Sequence, residues 1–92
     1  MFYDYKEKKK VIIKANSQFL ACLNSNDFIG ARNEILSITS AVKSLKETAH
    51  WAYLRGDFKL ANRVYKDSEN FSNHITTCWL KLTDRMLCFI TI

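Results

Sequence analysis

Ninety-two residues with a formal net charge of +5 make one domain, 1–92, too small to bury more than roughly 60–65% of its unfolded surface, so it must pack well or oligomerise. Hydrophobic residues at 48% and charged residues at 25% are an ordinary globular balance. With no proline and two glycines, Gly30 and Gly56, the chain lacks the turn residues a β architecture needs, and helices are favoured before any periodicity is read.

The first element opens on "YKEKKKVIIK", Tyr5 to Lys14. Residues 1–14 hold five lysines against Asp4 and Glu7, a net +3, and the remaining nine cations and seven acids add +2. Tyr5, Ile12 and Phe19 recur at heptad spacing, with Ala15, Cys22 and Leu23 on the same side, which predicts α1 over about 4–24. Lys6, Lys10 and Lys14 fall at i, i+4 and i+8, with Tyr3 one turn earlier on that face. Each residue advances about 100°, so Ile12 lies about 200° from Lys10 and the lysine face points away from the core.

"NSND", Asn24 to Asp27, ends that pattern and offers Ser25, Asn26 or Asp27 as the next N-cap. Phe28, Ala31, Ile35, Ile38, Val42, Leu45, Ala49 and Ala52 then follow a 3-4 spacing, one apolar seam that predicts α2 over 27–55. "RGD", Arg55 to Asp57, is the second break, with Gly56 suited to a left-handed position and Asp57 to a cap. "DFIGA" and "DFKLA" start 30 residues apart. We read their likeness as shared turn chemistry rather than a solenoid repeat.

Ala61, Tyr65, Ile75, Trp79, Leu82, Met86 and Phe89 predict α3 over 57–88, with Val64, Phe71 and Cys78 adjoining. Ser68 and Ser72 are polar on the seam, so the segment is one helix kinked near 72 or two helices meeting there; one helix is preferred. The expected fold is all-α, an up-down-up three-helix bundle. Its expected core is Ile12, Phe19, Ile35, Ile38, Val42, Leu45, Ala49, Ala61, Ile75, Trp79 and Leu82.

Chemistry-bearing motifs are missing from the sequence. His50 and His74 have no partners at zinc-site spacing, and there is no phosphate loop or nucleophile elbow, so the expectation is a protein that is not an enzyme, with no metal and no cofactor. Cys22, Cys78 and Cys88 are an odd set beside apolar residues, read as buried reduced thiols of a cytoplasmic protein. Lys14 interrupts the apolar run after the lysines, so no signal peptide is expected. "MLCFITI" is too short to span a bilayer, and no membrane partner is expected.

Charge and aromatics carry the functional reading. Lys6, Lys8, Lys9, Lys10 and Lys14 form one basic set, and Arg55, Lys59, Arg63 and Lys66 another at the start of α3, where the helix dipole adds positive potential. In an up-down-up bundle both begin at the same end. Phe2, Tyr3, Tyr5, Trp51, Tyr53 and Phe71 exceed what a small core can hold, and the apolar tail Leu87 to Ile92 exceeds what a monomer leaves wet. The leading expectation is a non-enzymatic inhibitor or adaptor acting on a host or other partner protein, self-associating as a homodimer. Its basic rows engage RNA or another polyanion, with Tyr3, Tyr5, Trp51 and Tyr53 as aromatic contacts. A purely structural interaction module is an alternative.

A second alternative comes from likeness. "TSAVKSLKETAHWA", Thr39 to Ala52, resembles the second hairpin helix of phage cyclic-oligonucleotide sponges, counter-defence proteins that sequester CBASS or Thoeris signals. Thr39, Ala41, Leu45, Lys46, Glu47, Trp51 and Ala52 carry the resemblance, which covers about one helix in three. It implies a small helical oligomer without catalytic activity. Such an oligomer holds bases and phosphates of cyclic oligonucleotides between protomers, through an aromatic and a basic residue of the N-terminal region. Carried onto this chain, those are Tyr3, Tyr5 and Lys14. The N-terminal arm is shorter than the family's, and the third helix is an addition to it.

Overall fold

The structure is a computed structural model that describes the backbone over residues 2–91 and side chains over 5–90. Three helices account for it: α1 Phe2–Asn24, α2 Phe28–Leu54 and α3 Phe58–Thr91. The chain runs up, down and up, as the sequence predicts, in a slender body whose Cα atoms span 55 × 18 × 13 Å. The third helix, at about 1.5 Å per residue, is about 51 Å long and sets the long dimension. No helix among the described residues is long and apolar enough to cross a membrane.

The two corners are built alike, which explains the repeated "DF" signal. Asn26 and Gly56 both take positive φ, 59° and 84°. The next amide in each, Asp27 and Asp57, donates back five residues to Cys22 and Ala52, the Schellman closure of a helix end. Each aspartate then caps the following helix: Asp27 accepts from the Gly30 amide at 2.9 Å, Asp57 from the Leu60 amide at 3.3 Å. The caps lie outside α2 and α3, so both helices start one residue later than the sequence predicts.

The middle helix packs against both others. One core cluster joins Tyr5, Ile12 and Ala15 to Ile38, Val42, Leu45, Ala49 and Val64; a second joins Phe19 and Leu23 to Ala31, Ile35, Cys78 and Leu82; Ile75 packs on both. The expected core is therefore present with two changes. Ile75 is only half-buried, and Trp79 is 37% exposed. Cys78 takes the inward position on that turn of α3, and Trp79, about 100° further round, turns outward.

Two further expectations are corrected. The third segment is one helix, the preferred reading, but it runs from Phe58 to Thr91 and so passes beyond residue 88. Ser68 does not break it because its buried hydroxyl bonds back to the Val64 carbonyl at 2.8 Å, satisfying the polar group within the helix. Cys78 is buried and Cys22 half-buried, but Cys88 is exposed, since α3 has by then outrun most of what it packs against.

Candidate nucleic-acid interface

The helices α1 and α3 run parallel and meet through polar side chains along their length. Tyr5 donates from its hydroxyl to the Asp67 carboxylate. Lys9 reaches the same carboxylate at 3.3 Å, with its Nζ 5.2 Å from the Tyr5 ring centre. Further along, His74 Nε2 lies 2.6 Å from Asn16 Oδ1, and Arg85 donates to Asn24 at 3.4 Å. Both helices therefore begin at the same end, as the sequence predicts, and bring their basic residues there.

A depression of about 450 Å³ lies between them at that end, lined by Tyr5, Lys6, Lys9, Lys10, Arg63 and Asp67. Four cations face one carboxylate. A second depression of about 350 Å³ shares Arg63 and adds Asp57, Lys59 and Leu60, so the positive surface continues round α3. Lys6, Lys10, Lys14, Arg55, Lys59, Arg63 and Lys66 are all exposed. Lys10 meets Glu7 at 3.5 Å on the rim, a solvent-screened pair of small energy.

Other residues singled out in the sequence take different places. Lys8 turns inward and donates to Thr48 Oγ1 at 2.8 Å and to the Ser44 carbonyl at 3.4 Å, tying α1 to α2. Lys9 is shared between the depression and Asp67. Lys14 lies further along α1, outside the lining. Arg55 sits in the corner, its Nε 3.5 Å from the Trp51 carbonyl. Trp51 and Tyr53 are exposed as expected, at 60% and 55%. Tyr5 is not: it is 4% exposed, because its ring occupies the first seam position of α1 and its hydroxyl has Asp67 to bond. Phe71 likewise packs half-buried against the core. The side chains of Phe2 and Tyr3 lie outside the described residues.

Sequence reasoning missed two things. Asp67 is one; its role depends on the α1–α3 register, which no local pattern encodes. The other is the trio Asn16, His74 and Cys78, brought together because residues four apart share a helix face. Cys78 Sγ lies 3.5 Å from His74 Nε2, the same nitrogen that meets Asn16. One nitrogen cannot donate to the amide oxygen and also accept a thiol proton. Burial, moreover, pushes the Cys78 thiol upward, with Lys81 opposing it. The trio therefore acts as a polar tie between α1 and α3. Among the described residues no cluster of three histidines, cysteines or carboxylates could hold a metal.

No family model, curated protein or solved structure matches this chain. Of the positions behind the sponge resemblance, Leu45 and Ala52 are buried, Ala41 is half-buried, and Thr39, Lys46, Glu47 and Trp51 are exposed.

Proposed function

We propose that this protein binds a polyanion, RNA in the first instance, at the basic end of the bundle, and acts by binding rather than by catalysis. The observation that supports the reading is the convergence of Lys6, Lys9, Lys10 and Arg63, from two parallel helices, on one depression. Lysines that served only solubility would be spread over the surface; these share one concavity, where their potentials add. The role read with it is that of an inhibitor or adaptor acting on a host or other partner protein in the cytoplasm, with RNA engaged at the basic end.

Fluorescence anisotropy of labelled RNA tests it. The parent should bind, and Lys6→Glu/Lys10→Glu/Arg63→Glu should lower affinity at least tenfold with an unchanged circular-dichroism spectrum, since all three side chains are exposed. Equal binding by parent and variant would sink the reading.

The same proposal includes a second copy of the chain. The accessible surface is 6298 Å², whereas a compact 10.7 kDa monomer exposes about 5,500 Å². The excess, about 800 Å², equals one partner's share of a standard interface. Exposed apolar side chains gather toward the far end of α3, where Leu80, Leu87, Phe89 and Ile90 are 57–72% exposed. A homodimer through that end leaves the basic end open.

A further inference from the structure

The start of α3 carries two aromatic-lysine dipeptides, Phe58-Lys59 and Tyr65-Lys66, seven residues apart. Seven residues are nearly two turns, about 10 Å of rise, and return to the same face. The two rings therefore form one column, and the two lysines a second column about 100° round the helix. Arg63 stands next in that direction, at the edge of the depression it shares with Lys6, Lys9 and Lys10. Around the first turns of α3 the order is rings, lysines, arginine, basic depression.

These rings are not core. The buried seam on these turns is Ala61, Val64 and Ser68, each 1% exposed or less, while Phe58 and Tyr65 are 55% and 42% exposed. Tyr53 meets Phe58 edge-on with ring centres 5.2 Å apart. That contact orients Phe58 at the α2–α3 corner and still leaves most of its surface in solvent. It gives no reason for Tyr65, one heptad on. Attraction to phosphates alone needs no rings beside the cations.

We propose that the ligand of the basic end is single-stranded nucleic acid, its phosphates held by Lys59, Lys66 and Arg63 and its unpaired bases stacked on Phe58 and Tyr65. This rests on the polyanion reading and narrows it. A duplex is a poor fit. The two positions stand about 10 Å apart along the helix axis, three times the 3.4 Å rise per nucleotide in one strand of a duplex, whose bases are stacked inside. The deep groove of an RNA helix is closed to side chains. An unpaired strand can splay its bases outward, and every base offers a face to an aromatic ring. The surface should therefore accept many sequences and prefer single strands.

Three probes at matched charge test this: a single-stranded RNA of about a dozen nucleotides, a hairpin duplex made of the same number of nucleotides, and inorganic polyphosphate of the same total charge, which has no bases. The parent should bind the single strand at least about tenfold more tightly than the other two. Phe58→Leu/Tyr65→Leu should lose about tenfold or more on the single strand and bind polyphosphate as the parent does, which also reports that the variant is folded. Equal parental affinity for all three probes, or an unchanged single-strand affinity in the double variant, overturns the inference while leaving polyanion binding in place. Failure of the parent to bind any probe overturns both.

Discussion

Gly30 sits where α1 meets the start of α2. A Cβ there would lie 2.8 Å from Asp27 Cγ and 2.9 Å from Cys22 Sγ, so an alanine must displace the cap that accepts from its own amide. Alanine gains about 1 kcal/mol over glycine in a helix; the lost cap costs about as much, and the crowding against Cys22 decides the sign. Gly30→Ala should lower thermal stability by about 1 kcal/mol, roughly 4–8 °C in the melting midpoint of a domain this size; an increase would refute the close approach. Cys78 supplies a pH dependence. Burial raises its thiol above the ordinary 9.0, so the unfolded chain ionises first as pH rises. Its stabilising share is present below the ordinary thiol value and is lost as pH climbs toward the raised one. Between about pH 8 and about pH 10 the parent should lose more melting temperature than Cys78→Ala, and equal losses would contradict the burial argument. The Asp57 cap was legible in the sequence because an aspartate after a turn signal has a local role, and the first cap was narrowed to Ser25, Asn26 or Asp27, of which the fold uses Asp27. Gly30 was not legible, because its neighbour Cys22 arrives from another helix.

At the scale of the helix, the α2 seam was readable to the residue because eight apolar positions repeat without a polar interruption. All but Phe28 are buried, and Phe28 is half-buried against Phe89, ring centres 5.5 Å apart. The third helix was harder. Its inward line steps through Ala61, Val64, Ser68, Phe71, Ile75, Cys78 and Leu82, and a valine and a cysteine hold places that their larger neighbours, Tyr65 and Trp79, seemed better suited to fill. Hydrophobicity alone then points one residue off the true line. Tyr5 shows the opposite case: heptad spacing put it inside and its phenol argued for outside, and Asp67, supplied by a different helix, settled it. Ser68 is 1% exposed with its hydroxyl bonded within the helix, so Ser68→Ala removes a self-satisfied group and gains about 0.5 kcal/mol of helix propensity. Thermal unfolding should show a small gain in midpoint; a loss above about 1 kcal/mol would mean that the serine hydroxyl supports the packing against α2.

The whole molecule has two unlike ends. Parallel α1 and α3 concentrate cations at one end, and the overhang of α3 leaves apolar side chains exposed at the other. The excess charge at the N-terminus was visible in the sequence; its meeting with Arg63 required the fold. Self-association through the apolar end predicts a mass near twice 10.7 kDa by light scattering at high micromolar concentration. Leu87→Glu/Ile90→Glu should return it to one chain while RNA binding persists; a monomeric parent would refute the interface. The central claim is that the basic end holds phosphates, and a salt series tests it most directly. Five phosphate contacts, from Lys6, Lys10, Lys59, Arg63 and Lys66, give a slope of log affinity against log salt of about −3.5 for a single strand. A straight line near that slope supports the account, and single-strand affinity that does not change between about 50 and 200 mM salt would contradict it.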